Sequence, residues 1–421
     1  MNINNNIEID FDAIPIDTFW NIGDKAENRM HRIHAYPAKF PAFITSKAIK
    51  YIEEQNNTDI NWVADMFCGC GTTAYEATRN GKNFWGSDIN PVATLIAKTK
   101  SQIYKDRTLQ LYFDIINEEY GKKEISQDET QNINERIKYW FKEEQIKDLF
   151  KLKYSIYESI PKKSKYLNFF LTAFSNILKP TSVWLTKSIK PQVDPNKKPA
   201  NVIDAFIKQF EMMRKANLKN EIDKKSTVKI ENINFLEKEM KKPFVDLIVT
   251  SPPYVTSYEY ADLHQLSTLW LDYVKDYKDL REGTIGSLYH NSDFTKDAKL
   301  LNKTGEDIVF KLYNKDKRKA QSTAKYFVDM QKTIKKSYDM LNMNGRALFV
   351  IGNTEYKNIR INNAKHLIES MLNVGFKDIE ITKRKISNKI LTPYRDKNGK
   401  FTTDKNSRKV YAEEFIVIGR K

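Results

Sequence analysis

The chain has 421 residues with 70 Lys+Arg against 54 Asp+Glu, a formal charge of +16, and 40% hydrophobic and 12% aromatic residues. That is enough apolar material for a real core, which excludes wholesale disorder, and the length passes the roughly 250–300 residues at which one core stops growing, so a main domain plus a second domain or large insertion is expected. No apolar run approaches the ~20 residues of a bilayer span, the polar start MNINNNIEIDFD is no signal peptide, and Cys68 and Cys70, the only cysteines, lie too close together to staple a fold, so a cytoplasmic setting is the natural expectation.

Residues 1–30 are polar with little periodicity and read as an arm or peripheral strand. His31–Tyr51 reads as a loop carrying Pro37 and Pro41 that enters a helix. From Asn61 a βαβ unit begins. Trp62-Val63-Ala64 is a short apolar strand ending at Asp65, Gly69 and Gly71 permit a tight turn, and Thr72–Asn80 is a helix stopped by Gly81. A second strand, Asn83–Ser87, ends at Asp88. This alternation predicts a parallel sheet with helices on its faces.

Between about 100 and 235 the strand signal fades, and Ile133, Ile137, Trp140, Phe141, Leu149 and Phe150 recur at helical spacing. Residues 151–230 hold 17 Lys+Arg and 6 Asp+Glu, a net +11 that is most of the chain's charge. Lys179–Pro199, with four prolines, reads as an irregular basic loop. Strand character returns at Val245–Val249 and Ala347–Ile351. Ile379–Thr382 and Glu414–Ile418 read as a closing hairpin around a polar turn at Asn398-Gly399.

In DMFCGCGTT (65–73) a carboxylate at a strand end is followed by two glycines and then hydroxyl residues that open a helix. Glycine lets a ligand approach the backbone, and the helix start offers unpaired N–H groups. Asp88 follows Asp65 at close to the ~20-residue offset at which an acidic side chain reaches ribose hydroxyls. Asp65 would repel a pyrophosphate but suits a ligand with a cationic amino-acid end, which favours S-adenosylmethionine over NAD. The same pattern also serves an ordinary strand–turn–helix without ligand. A zinc site is not expected: four ligands are needed, two cysteines exist, and the five histidines lack HExxH spacing.

DLIVTSPPY (246–254) runs an apolar strand into two prolines, which cannot continue a central ladder and which fix the preceding carbonyls. A rigid carbonyl plus the Ser251 hydroxyl can hold both protons of an exocyclic amine, while Tyr254 stacks on the attached ring. Such hydrogen bonds favour a pyramidal nitrogen and return density to its lone pair. A plain Pro-Pro turn with a packed tyrosine would look alike.

Together, HAYPAKFPAF (34–43), DMFCGCGTT (65–73), GSDINP (86–91), TSPPY (250–254) and GRALFVIGN (345–353), with YEYADLHQLSTLWL (258–271) and EGTIGS (282–287), resemble the amino-group DNA methyltransferases of restriction–modification systems, most closely the N4-cytosine type. The resemblance implies a Rossmann-like α/β fold, S-adenosylmethionine as cofactor, double-stranded DNA as substrate and a cognate restriction endonuclease as genetic partner. It implies a catalytic domain over 31–100 and 236–421, with a mainly helical basic insertion over 101–235 as the candidate target-recognition region. A stretch near 275–325 is a further candidate for touching DNA. Asp65, Phe67, Gly69, Gly71 and Thr72 would surround the methionine part and ribose of the cofactor. Asp88 would bind the ribose hydroxyls, with Ile89 beside the adenine. Lys39, Phe40 and Pro41 would close that pocket. Ser251, Pro252, Pro253 and Tyr254 would hold the flipped base. Serine at the head of the catalytic motif goes mostly with cytosine and aspartate with adenine, so N4-cytosine is expected. N6-adenine comes next, then an RNA amine methyltransferase, then a catalytically silent DNA-binding protein.

Overall fold

The computed structural model describes residues 2–3, 9–23, 26–37, 39, 41–56, 59–126, 129–130, 133–255, 259–287, 289, 292–386, 394–395, 402–409 and 413–421. Phe40, Tyr258 and the turn at Asn398-Gly399 lie outside these residues.

The twelve described strands are β1 (Asn2–Ile3), β2 (Trp62–Asp65), β3 (Asn83–Asp88), β4 (Val228–Asn232), β5 (Val245–Thr250), β6 (Leu341–Ile351), β7 (Thr354–Tyr356), β8 (Ile359–Ile361), β9 (Lys377–Lys385), β10 (Tyr394–Arg395), β11 (Arg408–Lys409) and β12 (Glu413–Arg420). Eight of these strands form one sheet in the order β1-β9-β12-β6-β5-β2-β3-β4. The block from β6 to β4 is parallel throughout, and β12 pairs antiparallel with both β6 and β9. The α/β architecture read from the sequence is therefore the one formed.

The central strands β2, β5 and β6 of the parallel block read as apolar runs because both faces are covered. Leu247, Val249, Leu348 and Val350 pack with Ile44, Ala48 and Ile49 of helix α1 (Phe43–Asn56) on one face. Their neighbours Ile248, Ala347 and Phe349 pack on the other with Phe327, Met330 and Ile334. Helix α2 (Thr72–Arg79) connects β2 to β3, and α3 (Pro91–Lys100) follows β3. Asn90 caps α3 by accepting from Val92 N at 3.0 Å, with Pro91 at its first position.

The helical insertion contains α4 (Asp106–Lys122), α5 (Glu135–Trp140), α6 (Glu143–Ser159), α7 (Lys165–Ile177) and α8 (Val202–Asn217). It has its own aromatic centre, in which Phe113 stacks on Phe210 at 4.0 Å. Tyr75 and Leu95 of the sheet domain, and Trp270, enter the same cluster, so the insertion packs firmly onto the sheet domain. The stretch Val228–Asn232, read as part of the insertion, is β4, the edge strand beside β3. Its residues are half-exposed, and VKIEN lacks the apolar run that marks a central strand.

After β5 come the short helices α9 (Tyr260–Leu263) and α10 (Gln265–Trp270), then α11 (Phe294–Leu300), α12 (Lys303–Tyr313), the 24-residue α13 (Lys317–Met340) and α14 (Asn363–Val374). The N-terminal segment wraps the far edge of the sheet: β1 pairs with β9, and Ile16 bridges to Lys383. No helix among the described residues is long and apolar enough to cross a membrane.

Candidate active site

The chain leaves β2 toward β3 and β4 on one side, then returns to β5 and leaves toward β6 on the other. The direction of winding thus reverses between β2 and β5. Ligands in open α/β sheets bind outside the carboxyl ends of the strands at such a point. The loops that begin at Asp65 and Thr250 both start there.

A side-chain hydrogen bond joins them. Asp65 Oδ1 accepts from Thr250 Oγ1 at 2.6 Å and from Phe67 N at 3.0 Å, while Oδ2 accepts from Thr73 Oγ1 at 2.8 Å. Asp65 is 2% exposed, and burial lifts its carboxyl to about 6 even though the Thr250, Thr73 and Phe67 donors pull the other way. Three of its acceptor sites are thus taken by the protein itself, and its carboxylate ties β2, α2 and β5 together.

Asp88 differs. Its Oδ2 accepts from Gly69 N at 2.9 Å and its Oδ1 from Asn90 N at 2.8 Å. Each oxygen keeps a lone pair beyond those bonds, and the residue is only half-buried. That is an acceptor set suited to a ribose diol. Burial raises its carboxyl to about 6, against the two backbone donors.

The two glycines do different work. Gly69 has φ +49°, and a Cβ there would meet Tyr36 at 3.5 Å. Gly71 has φ +76°, and a Cβ there would sit 2.7 Å from the Cα of Ala97, so α3 demands this glycine. Thr72 and Cys70 are buried beneath the turn. Both cysteines are free, and Lys100 Nζ donates to Cys70 Sγ at 3.5 Å. No cluster of potential metal ligands occurs among the described residues.

Tyr36 is the residue missed in the sequence. Its ring lies against Gly69 and stacks on His264 at 5.0 Å, placing an aromatic wall over the turn. Burial and the Asp88 carboxylate push its phenol well up. The signal available was position: Tyr36 lies in HAYPAKFPAF, three residues before Lys39. Lys39 itself donates to the carbonyl of His31 at 2.9 Å and pairs with Glu27 at 3.5 Å. Pro41 lies two residues before α1, its carbonyl accepting from Ile44 N. On the opposite side Asn232 Nδ2 donates to the carbonyls of Asp88 and Ile89, and Gly283 of EGTIGS lies against Ile89 and Asn234. This part of the 275–325 stretch therefore flanks Ile89.

At the end of β5 every anchor is visible. Ser251 Oγ donates to the carbonyl of Val350 at 3.1 Å, so its proton is committed and its lone pairs remain as acceptors. Pro252 is buried and Pro253 half-buried. Tyr254 donates from its hydroxyl to Glu414 Oε1 at 3.3 Å, and one side of its ring lies against Gly352, where a Cβ would be 3.2 Å from the ring. Lys319 Nζ, buried, donates to the carbonyl of Val255 at 2.8 Å.

Comparison with known proteins gives this site its context. The family described as DNA methylase, of the N6/N4 type, matches residues 9–99, a span that holds Tyr36, the 65–73 turn and Asp88. The chain is 28% identical over 368 residues to the Type II methyltransferase M.MvaI of Kocuria varians, covering 79% of this chain and 78% of that one. Both matches are to amino-group DNA methyltransferases, and it is to that family that the chain is similar. Its cofactor is S-adenosylmethionine. Two solved structures of the rRNA methyltransferase aviRa from Streptomyces viridochromogenes align at 9% identity with TM-scores of 0.27 and 0.28, covering 92% and 94% of this chain and 88% and 90% of those. A likeness of that size carries no argument, and the fold rests on the sheet itself. The donor set fits the cofactor family at Asp88, whose free lone pairs face a turn roofed by Tyr36.

The basic middle of the chain is less free than its charge suggests. Lys179 donates to the carbonyl of Ser188 at 2.7 Å, and Lys197 to those of Lys179 and Trp184 at 2.8 and 2.7 Å. Arg214 forks onto Asp106 at 2.6 and 2.7 Å. These cations hold the insertion together.

Proposed function

We propose that the protein transfers a methyl group to the exocyclic N4 amine of a cytosine flipped from double-stranded DNA, at a specific site, as the modification enzyme of a restriction–modification system in the bacterial cytoplasm, with a restriction endonuclease as genetic partner. The observation that carries this reading is the state of Ser251. Its hydroxyl donates to the carbonyl of Val350, which leaves its lone pairs as acceptors, as an amine N–H requires. The adjacent Pro252 and Pro253 fix the neighbouring carbonyls as further acceptors.

S-Adenosylmethionine, when bound, supplies an electrophilic methyl group. The chain's own part is orientation. Asp88 accepts from the ribose hydroxyls, and Gly69, Phe67, Ile89 and Tyr36 shape the surrounding pocket, with Asp65, Gly71 and Thr72 holding the turn from beneath. Lys39 and Pro41 brace the loop that carries Tyr36. Ser251 and the Pro252 carbonyl hold the two amine protons, which favours a pyramidal nitrogen, and Tyr254 stacks on the base. Preorganised acceptors and placement then lower the barrier without a strong base. The insertion over 101–227 supplies the target-reading surface, its lysines and arginines meeting phosphates in a salt-dependent way.

The test is direct. The protein is incubated with labelled S-adenosylmethionine and unmethylated DNA, the DNA is digested, and the nucleosides are identified by mass spectrometry. N4-Methylcytosine is expected. N6-Methyladenine would overturn the base assignment, and label confined to RNA would overturn the DNA assignment.

A further inference from the structure

Arg384 and Glu414 face each other across the antiparallel pair of β9 and β12. Around it, Ile379, Ile381, Phe415, Ile416, Val417 and Ile418 of the two strands are apolar and buried. A charged pair at the end of such strands is an expensive choice. Arg384 is 1% exposed and Glu414 19%, and apolar residues of similar volume would serve stability as well or better.

The pair is oriented with care. Arg384 Nε donates to the carbonyl of Trp20 at 3.0 Å, and its Nη1 donates to Glu414 Oε2. The other carboxylate oxygen, Oε1, accepts from the Tyr254 hydroxyl at 3.3 Å. One oxygen of Glu414 thus belongs to the arginine and the other to the tyrosine. The Tyr254 ring is also braced by Gly352, which leaves its opposite side as the face for a base.

We propose that Glu414 and Arg384 are positioning residues for methyl transfer: they hold the Tyr254 hydroxyl so that the ring presents one fixed face to the target base beside Ser251. This rests on the reading of Tyr254 as the base-stacking residue. A side chain used for stacking gains from a fixed ring, because a bound base then meets a surface whose ordering entropy is already spent.

The experiment is a double-mutant cycle with the full chain, unmethylated phage DNA and tritiated S-adenosylmethionine, reading kcat and the KM for cofactor. Tyr254→Phe removes the hydroxyl alone. Glu414→Gln keeps the shape but leaves one carbonyl, which the donor-only Arg384 takes, so Tyr254 loses its acceptor. Each variant is expected to lower kcat about tenfold, as one hydrogen bond of ~1.4 kcal/mol would. The KM for cofactor should stay within about twofold, and the double variant should fall no further than the worse single one. A double variant whose loss is the product of the two single losses overturns the proposal, and so does a Tyr254→Phe enzyme with normal kcat. Should Glu414→Gln fail to fold, Arg384→Lys takes its place in the cycle. Tyr254→Ala separates the two levels. Normal turnover in that variant sinks the base-stacking role itself, whereas an inactive Tyr254→Ala beside a fully active Tyr254→Phe sinks only the positioning role.

Discussion

Asp65 Oδ1 accepts a 2.6 Å hydrogen bond from Thr250 Oγ1, so the turn that begins the cofactor loop is tied by one oxygen to the residue before Ser251. The two loops are far apart in sequence and neighbours only because β2 and β5 pair in the sheet. A shift at the Asp65 turn is therefore passed directly to the residue before Ser251.

Thr250→Val tests this link. The substitution keeps the branched shape but withdraws one of three donors from a buried carboxylate, a loss of about 1.5–3 kcal/mol for a bond to a charged group. The carboxyl, already lifted to about 6, should rise further, because the ionised form loses support. Turnover at pH 7 is expected to fall roughly tenfold or more, by the exponential relation of rate to free energy. The acid limb of the pH–rate profile should move to higher pH. An unchanged profile would show that the bond does no more than hold the loops.

Asp88 gives a pH dependence of cofactor binding. A ribose diol donates to an ionised carboxylate, so binding takes the deprotonated form. With the carboxyl at about 6 in the free protein, affinity should be level above pH 6 and weaken progressively below it. Asp88→Asn should weaken binding at every pH and flatten the profile, as read by calorimetry. The sign for stability is opposite. Asp65 and Asp88 both have folded values above the ordinary 3.8, so the stability they contribute is full below about pH 4 and is lost as pH rises to about 6. The melting temperature of the ligand-free protein should accordingly gain less on raising pH across this window than in Asp88→Asn.

How much of this could be read beforehand follows from the range of each interaction. The βαβ unit around Asp65 and Asp88 was legible because its signals are local: an apolar strand, a glycine turn and a capped helix. Ser251 and Tyr254 were legible because prolines end strands wherever they fall. Glu414 was not, since its meaning depends on a register of β12 against β9 and on Tyr254, 160 positions away. Tyr36 was hidden among residues of its own motif, of which only its contact with Gly69 singles it out. β4 was lost because a half-exposed edge strand has no apolar run to betray it. The lysines of the insertion were counted correctly but not their partners: a charge count cannot tell Lys197, clasping two carbonyls, from a lysine that meets phosphate.

That distinction has its own test. Lys197→Met should lower the melting temperature by a few degrees, through two backbone carbonyls left without their donor at roughly 1–3 kcal/mol each. It should leave the slope of DNA affinity against salt unchanged, because a lysine committed to two backbone carbonyls releases no counterion from DNA. A slope reduced by about one unit would instead place Lys197 on a phosphate.

Tyr36→Ala is expected to weaken cofactor affinity about tenfold or more, the equivalent of losing one aromatic wall of ~1.5 kcal/mol beyond its neighbours. The pattern with DNA should differ from that of Tyr254→Ala, which leaves cofactor affinity near normal and lowers turnover. Calorimetry with S-adenosylmethionine alone separates them. Equal loss of cofactor affinity in both variants would contradict the division of the site into a Tyr36 side and a Tyr254 side.

Gly69→Ala and Gly71→Ala should part in the same way, although both residues have positive φ. In either variant the left-handed backbone costs a side chain roughly 1–2 kcal/mol. At Gly71 the new methyl also meets the backbone of Ala97 at 2.7 Å, and backbone cannot rotate aside as a side chain can. Overpacking of that kind adds typically ~1–3 kcal/mol, so Gly71→Ala should melt several degrees lower, and cofactor binding in whatever remains folded should be near normal. At Gly69 the methyl finds only an ordinary 3.5 Å contact with Tyr36, so stability should fall less. The methyl stands instead under the Tyr36 ring, beside the Gly69 amide that holds Asp88, and cofactor affinity should drop more than the melting temperature suggests. Reversal of that order, with Gly71→Ala the weaker binder and Gly69→Ala the less stable fold, would mean that the ligand approaches the turn from the side of α3.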